Sequence, residues 1–260
     1  MRIKLVYESL DDKDIILPCH YNYVIQSLIY NTFSLKTAQR LHEEGFLYEK
    51  RKFKLFTFSR ILEKGDLIIN KNNKSYLKFK RKITIYFSSP IDDIVIDLAQ
   101  RGFREREFTL LGKKVCISQL EIISLPKIKE KIKIRFLSPV TIYSTFEKKN
   151  SKKFIHYYKP FEREFSDLIK KNALKKYQLI CGEKAENLDL SIVPYKFSLK
   201  ENLKIIYFKN TPIECYTGVY ELTGSPELIY LTYETGLGNK NSAGFGMWEI
   251  WRGKESDEDA

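Results

Sequence analysis

Alternating hydrophobic and charged residues mark two stretches of the chain as strands. In 76–87 the Leu, Ile and Phe residues lie at odd positions and three lysines lie at even positions, and 131–136 shows the same kind of alternation. Successive side chains of a strand point to opposite faces, so each stretch predicts one buried face and one basic face. The basic positions are Lys78, Lys80, Lys82, Lys131, Lys133 and Arg135.

Helical periodicity appears between the extended segments. Residues 22–33 carry apolar side chains at helical spacing, and Asn22 is the candidate N-cap of that helix. A second short helix is predicted at 35–44. Further helices are predicted at 90–102, 160–178 and 225–234.

The order of the predicted elements indicates the fold class. In the first half, extended segments are predicted at 1–8, 53–60, 76–88 and 107–123, which gives the order β, α, β, β, α, β. That order is typical of the ferredoxin-like or RNA-recognition-motif fold. The order roughly repeats in the second half, with extended segments at 131–143, 189–198, 202–209, 213–223 and 243–251. We therefore predict an α+β protein with two tandem ferredoxin-like domains and antiparallel sheets.

A chain of 260 residues is long enough for two ordinary domains. The Pro-Lys step at 126 predicts the boundary between them. The expected ranges are 1–125 for the N-terminal domain and 126–254 for the C-terminal domain. The acidic tail at 255–260 is expected to be disordered.

The charge of the chain points to a polyanionic partner. Lys and Arg total 45 against 33 Asp and Glu, and the formal net charge is +12. Nucleic acid is the simplest such partner, and a membrane surface is the second choice. No segment approaches the roughly 18 continuous apolar residues of a membrane span. The alternative for the two basic faces is a solvated surface that limits strand-edge aggregation.

The metal-ligating residue types are few and scattered. The four cysteines are Cys19, Cys116, Cys181 and Cys215, and no Cys-x-x-Cys pair occurs among them. A zinc site would need ligands gathered from distant positions, so we expect no metal and no cofactor. Reduced cysteines and the lack of a signal-peptide pattern predict a cytoplasmic protein.

Residues 236–246 form a glycine-rich segment with four of the 12 glycines. Such a loop is suited to hold phosphate on its backbone amides. The P-loop spacing fails, because five residues separate Gly238 from Gly244, and Asn241 stands where a dinucleotide fingerprint needs its third glycine. Nucleotide cofactors are therefore disfavoured. A turn that joins a helix to the last strand remains the alternative.

Histidine is the usual acid–base residue near neutral pH, and the chain has three. His42 lies at the edge of the apolar face of the predicted helix 35–44. A histidine in that position is either a structural or exposed residue or a catalytic one. His20, just before the first predicted helix, is the reserve candidate.

Four segments resemble one protein family. Leu17-Pro-Cys-His-Tyr-Asn22 and Gln26-Ser-Leu-Ile-Tyr30 resemble the N-terminus of the sixth CRISPR-associated protein family, the repeat-processing endoribonucleases of the RAMP superfamily. Leu55-Phe-Thr-Phe-Ser59 resembles that family's second strand. Gly236-Leu-Gly-Asn-Lys-Asn-Ser-Ala-Gly-Phe-Gly-Met247 resembles its glycine-rich loop.

The resemblance implies metal-independent cleavage of CRISPR repeat RNA in the precursor transcript. A 2′-hydroxyl would attack the adjacent phosphorus, leaving a 2′,3′-cyclic phosphate and a 5′-hydroxyl. By motif, the family's catalytic tyrosine corresponds to Tyr30, its histidine to His42 and its lysine to Lys54. His42 would act as general base or acid, Tyr30 as its counterpart or as an orienting hydroxyl, and Lys54 as the electrostatic stabiliser.

The expected partner is CRISPR repeat RNA, and other CRISPR effector-complex proteins are further candidate partners. We expect a monomer or homodimer with no membrane partner. The expected RNA-binding residues are the six basic positions above together with Gly236, Gly238, Asn239, Lys240, Asn241, Ser242, Gly244 and Gly246. The alternative function is a non-catalytic RAMP-type subunit that holds guide RNA.

Overall fold

The chain forms two compact units in a computed structural model, which describes residues 1–147, 153–182, 185 and 187–253. The first unit contains 1–125 together with the short segments 207–211 and 242–244. The second contains the rest of the chain from 126 onward. Both short segments lie outside the range predicted for the first domain. The predicted tail 255–260 lies outside the described residues.

The first unit carries the elements of residues 1–125. They are β1 (Arg2–Ser9), β2 (Ile15–Pro18), α1 (Asn22–Thr32), α2 (Leu35–Gln39), a π-helical turn (Arg40–Glu44), β3 (Phe46–Tyr48), β4 (Arg51–Phe53), β5 (Thr57–Phe58), β6 (Asp66–Ile69), β7 (Ser75–Phe79), β8 (Lys82–Ser88), α3 (Asp92–Arg104), β9 (Phe108–Leu110) and β10 (Lys113–Ile123).

The central sheet of this unit has the strand order β5-β8-β1-β10-β9, and all its pairs are antiparallel. With β1, β5, β8 and β10 as the four core strands, this is the ferredoxin-like topology. Strand β1 is buried along most of its length, because it lies at the centre of the sheet. The apolar faces of α1 and α3 complete the core, with Ile25, Leu28, Ile94 and Leu98 each at most 1% exposed.

The elements of the remaining chain follow a similar order. They are β11 (Lys131–Phe136), β12 (Tyr143–Glu147), β13 (Lys153–Tyr157), α4 (Arg163–Cys181), β14 (Leu190–Lys196), α5 (Leu199–Asn202), β15 (Leu203–Phe208), β16 (Thr211–Tyr216), β17 (Val219–Gly224), α6 (Pro226–Thr235), a 3-10 turn (Asn241–Ala243) and β18 (Trp248–Ile250).

The sheet of the second unit has the order β14-β17-β11-β18, which is again the ferredoxin-like order. Helices α4 and α6 follow its first and third core strands in the chain. Two paired hairpins, β12-β13 and β15-β16, are inserted between core elements. The predicted α+β fold with two ferredoxin-like domains is therefore confirmed.

Two local predictions were wrong. The segment 76–88 is not one strand, because β7 pairs with β2 and β6 whereas β8 pairs with β1 and β5. Lys78, Lys80 and Lys82 therefore do not share the face of a single strand. Asn22 is not the N-cap of α1. That position is occupied by Tyr21, which makes no side-chain capping bond, and Asn22 is the first residue of the helix.

No helix in the described part of the chain is long and apolar enough to cross a membrane.

Candidate active site

A π-helical turn carries His42 at the end of the second helical segment. The turn spans Arg40–Glu44 and ends at Gly45, whose amide donates to the Arg40 carbonyl at 2.8 Å. Gly45 has φ +61°, and a Cβ there would lie 2.7 Å from the Phe53 carbonyl oxygen. Only glycine allows this close approach of the turn to β4. π turns are often found at functional sites, so this turn supports His42 as the catalytic candidate.

Two lysines bind the last carbonyl groups of this turn. The Lys54 ammonium donates to the carbonyl oxygens of Leu41 and His42, the latter at 2.8 Å, and Lys52 donates to that of Glu43. Carbonyl groups at a helix C-terminus lack partners within the helix, so basic side chains stabilise them. Lys54 therefore fixes the backbone position of His42.

Tyr30, His42 and Lys54 line one cleft of the first unit. The cleft has a volume of about 620 Å³. The Tyr30 and His42 rings lie 6.3 Å apart between centroids and are nearly perpendicular, at 88°. The three residues come from α1, the π turn and the segment before β5. The structure thus brings together the catalytic set that the sequence resemblance implies.

The surroundings of Tyr30 keep its hydroxyl neutral. Its ring packs against the buried rings of Phe33 and Phe56 at 6.0 Å. Burial disfavours the phenolate and raises the pKa of Tyr30 to about 12. The Tyr30 hydroxyl therefore stays protonated at neutral pH.

Lys54 is a partly buried cation beside the π turn. Partial burial, and secondarily the neighbouring charge of Lys52, lower the pKa of Lys54. An ammonium group has three donors, and two of the three are directed at the turn. One donor and the positive charge remain for an anion in the cleft.

The cleft contains further polar residues that sequence reasoning missed. Arg101 on α3, Lys209 on the β15-β16 hairpin, and Tyr23 and Gln26 on α1 all line it. Arg101 also donates to the Phe33 carbonyl at 2.8 Å. Together with Lys54, the lining has three cations and one carboxylate, that of Glu43. The cleft is therefore suited to a phosphate group.

His20, the reserve candidate, lies elsewhere. Its ring contacts that of Tyr207 with 5.1 Å between centroids. Burial, and secondarily the charge of Arg60, lower the pKa of His20. His20 is not among the residues of the cleft lining.

The first set of predicted basic residues is divided between two sheets. Lys78 on β7 lies 3.7 Å from the Asp14 carboxylate. Lys82 begins β8, in the central sheet, and Lys80 lies between the two strands. Both Lys80 and Lys82 are exposed.

The second set lies on one face of β11, as the alternation predicts, with Ile132 and Ile134 buried on the other. Each of the three cations has a partner on its own sheet. Lys131 pairs with Glu221 at 2.9 Å, Arg135 pairs with Glu249 at 2.5 Å, and Lys133 Nζ lies 3.8 Å above the centre of the Tyr195 ring. Carboxylates therefore offset part of the positive charge of this face.

A buried lysine of the second unit, Lys176, binds the first part of the glycine-rich segment. Lys176 on α4 is 3% exposed, and its ammonium donates to the Gly236 carbonyl at 2.8 Å and to Asn241 Oδ1 at 2.7 Å. Burial lowers the pKa of Lys176 to about 7. Gly238 has φ +70°, and a Cβ there would lie 2.5 Å from the Thr141 carbonyl oxygen.

Several amides of this segment already have partners. The amides of Gly236, Leu237, Asn239 and Gly246 donate to backbone carbonyls. Gly236, Gly238, Gly244 and Gly246 are buried, whereas Asn239, Lys240, Asn241 and Ser242 are partly exposed. The glycines thus allow close backbone packing, and the polar residues between them form the accessible part of the loop.

Residues 242–244 of the loop pack on α1 in the first unit. Asn22 Nδ2 donates to the carbonyls of Ala243 and Gly244, each at 3.0 Å, and Gln26 Nε2 donates to that of Ser242 at 2.6 Å. Ser242 lines the cleft. The loop thereby reaches the helix that carries Tyr30.

No group of three or more His, Cys, Asp and Glu residues in the described part of the chain is placed to hold a metal ion. Metal independence of the reaction stays a prediction.

Two family models match consecutive parts of the chain. "CRISPR-associated protein Cas6, N-terminal" matches residues 16–121, and "CRISPR associated protein Cas6, C-terminal" matches residues 123–250. The two matches meet close to the predicted boundary between the domains. They include the predicted catalytic residues and the glycine-rich loop.

Relatives and solved structures agree with these matches. CRISPR-associated endoribonuclease Cas6 1 of Methanocaldococcus jannaschii is 26% identical, over 95% of this chain and 91% of its own. An endoribonuclease-like protein of Pyrococcus horikoshii, Cas6nc, is also 26% identical, over 96% of this chain and 99% of its own. The structure of a Cas6-related gene product from Pyrococcus furiosus has a TM-score of 0.79 at 23% identity, covering 98% and 99% of the two chains. The chain belongs to the Cas6 family of CRISPR-associated proteins.

Proposed function

We propose that this protein is an endoribonuclease that cleaves CRISPR repeat RNA in the precursor transcript and so releases guide RNAs. The observation that carries the proposal is the common cleft of Tyr30, His42 and Lys54. An acid–base histidine, a neutral hydroxyl and a cation are the groups that transfer of a phosphodiester to its own 2′-hydroxyl requires.

The proposed reaction balances as an internal transfer. The 2′-oxygen forms a bond to phosphorus while the bond to the 5′-oxygen breaks, which gives a 2′,3′-cyclic phosphate and a 5′-hydroxyl. One proton leaves the 2′-hydroxyl and one reaches the departing 5′-oxygen. His42 carries one of these transfers. If His42 takes the proton from the 2′-hydroxyl, Tyr30, with its pKa of about 12, donates the proton to the departing 5′-oxygen. If His42 instead protonates the 5′-oxygen, water takes the 2′ proton and Tyr30 donates a hydrogen bond to the phosphate.

Lys54 acts in two ways in this proposal. Its contact with the His42 carbonyl holds the turn that carries the imidazole. Its charge, with that of Arg101 on the cleft wall, stabilises the phosphorane. Positioning of the scissile phosphate supplies much of the remaining rate enhancement.

RNA contacts outside the cleft complete the proposal. Lys80 and Lys82 are exposed cations of the first unit, and Asn239, Lys240, Asn241 and Ser242 form the accessible part of the glycine-rich loop. Lys78, Lys131 and Arg135 are weaker candidates, because their carboxylate partners compete with phosphate. The four cysteines are free thiols, which fits the expected cytoplasmic location.

The second candidate is a non-catalytic subunit that holds guide RNA in an effector complex. One specific observation favours keeping it, since the relative named Cas6nc is described as endoribonuclease-like and is as similar as the named endoribonuclease. The two candidates differ in one product. The enzyme generates cyclic-phosphate ends, and the binding subunit generates none.

The test is to incubate the protein with the host's repeat RNA in excess chelator and to identify the product ends. The proposal predicts cleavage at one position with a 2′,3′-cyclic phosphate. A matched RNA with deoxyribose at the nucleotide 5′ of the cut should bind equally well and remain intact. Uncut ribose RNA, or cleavage of the deoxy substrate, would contradict the proposed function.

A further inference from the structure

The tip of the β15-β16 hairpin lies in the first unit and carries a lysine into the catalytic cleft. The tip residues 207–211 pack with this unit, and Lys209 lines the cleft together with Tyr23. The Lys209 ammonium lies 4.7 Å from the centre of the Tyr23 ring, and the Phe208 ring meets Tyr23 edge-on at 5.8 Å. One aromatic contact and one cation–π contact thus fix the position of the lysine.

The turn itself is unfavourable for a lysine. Lys209 and Asn210 join the two strands as a two-residue turn, with φ angles of +48° and +65°. Turns that need positive φ at both positions prefer Asn, Asp or Gly. The side chain of Lys209 reaches the cleft, and its backbone conformation is maintained by the hairpin.

Helix geometry relates Lys209 to the proposed reaction centre. Tyr23 and Tyr30 are seven residues apart on α1, so they lie on the same helix face about 10 Å apart. Lys209, which lies over the Tyr23 ring, can therefore contact a phosphate near the scissile one but not the scissile phosphate itself. The Tyr23 side chain is 44% exposed, so the strand has access to this part of the cleft.

We propose that Lys209 binds a backbone phosphate next to the cleavage site, and that Tyr23 is the residue that positions its ammonium group. This inference rests on the proposed function, because it assumes that RNA occupies the cleft. It assigns the hairpin tip to substrate positioning rather than to proton transfer. Loss of Lys209 should therefore weaken binding and leave the chemical step nearly unchanged.

The test couples one lysine to one phosphate. The substrate is repeat RNA with a deoxyribose 5′ of the cut, which prevents cleavage. A neutral methylphosphonate replaces each phosphate around the cut in turn, and binding is measured for the wild type and for Lys209→Met. We expect one position, adjacent to the cut, at which the substitution weakens wild-type binding several-fold but leaves binding of Lys209→Met unchanged. The slope of log affinity against log salt should fall by about 0.7 in Lys209→Met, as for one phosphate contact on a single strand.

Matched variants separate this role from a structural one. Lys204→Met removes the same charge from the same hairpin, at a lysine that donates to the Glu201 carbonyl. In this control the methylphosphonate next to the cut should weaken binding as much as it does in the wild type. Tyr23→Phe should also show the full methylphosphonate effect, since the ring remains, whereas Tyr23→Leu should show a smaller one. The inference would be overturned if the methylphosphonate weakened binding of Lys209→Met as much as it weakens binding of the wild type. Binding is read separately from cleavage, so uncut ribose RNA would overturn the proposed function alone.

Discussion

Lys54 Nζ lies 2.8 Å from the backbone carbonyl oxygen of His42 and also donates to that of Leu41. The candidate lysine is therefore bonded to the backbone of the candidate histidine. This contact couples the segment before β5 to the π turn. It makes the position of the imidazole dependent on a residue twelve positions later in the chain.

We predict that Lys54→Met reduces cleavage of repeat RNA by about 10²-fold, because it removes both the anchor of the turn and a charge at the phosphorane. Amide hydrogen exchange at residues 41–45 should become faster in the same variant. The control is Lys50→Met, which removes a lysine charge from the neighbouring hairpin. Equal losses in the two variants would show that only the overall charge matters.

Tyr30 should act as a neutral hydroxyl at every pH at which the protein is assayed. Its pKa is raised to about 12 by burial, so the fraction of phenolate is negligible below pH 10. We predict that Tyr30→Phe lowers the single-turnover rate by about 10 to 10²-fold and by the same factor throughout pH 6–9. A factor that changes steeply with pH in this range would mean that Tyr30 titrates during the reaction.

The resemblance identified Tyr30, His42 and Lys54 from local motifs, and the structure places all three on one cleft, while their catalytic roles stay a prediction. Arg101 and Lys209 could not be predicted in this way. Their segments have no local signal of a site, and only the fold brings them to the cleft. The sequence therefore identified the cleft residues that lie in local motifs, and it did not identify those that only the tertiary structure brings to the cleft.

The break near Lys80 was missed for a different reason. A period of two describes β7 and β8 equally well, and the apolar residues of both strands fall at odd positions, with only Arg81 interrupting the alternation at the junction. Alternation reports which side chains share a face of one strand, but it contains no information about the partner strand. Only the pairing with β2 and β6 on one side and β1 and β5 on the other separates the two.

Gly244 should be one of the least replaceable glycines of the loop. It has φ +80°, and a Cβ there would lie 2.5 Å from the Phe58 ring and 2.9 Å from Asn22 Nδ2. We predict that Gly244→Ala lowers the free energy of unfolding by about 3 kcal/mol, from backbone strain and overpacking together.

Gly182→Ala is the matched control, because Gly182 has φ +69° with nothing within 4 Å of an added Cβ. It should lower the free energy of unfolding by only about 1 kcal/mol. Denaturant unfolding measures both values. Equal losses would show that Phe58 and Asn22 move aside without cost.

The buried Lys176 should make stability depend on pH. Its pKa is about 7 in the folded protein and 10.5 ordinarily, so between these values the unfolded chain binds more protons. The free energy of unfolding should therefore rise with pH in this window, by up to about 1.4 kcal/mol per pH unit. Below pH 7 the full penalty of the buried charge is present.

Lys176→Met lacks this titration and provides the comparison. We predict that the wild type gains stability relative to Lys176→Met as the pH rises from 7 to 9.5. Denaturant unfolding at several pH values measures the difference. If the free energy of unfolding changed with pH in the same way in both proteins, Lys176 would have an ordinary pKa in the folded protein.

The most direct test of the central claim is the single-turnover cleavage of repeat RNA by the wild type and by His42→Ala, each at a protein concentration that saturates the RNA. We predict that His42→Ala binds the RNA with unchanged affinity and cleaves it at least about 10²-fold more slowly. Cleavage by His42→Ala at the wild-type rate, with the same cyclic-phosphate product, would contradict the assignment of the catalytic site.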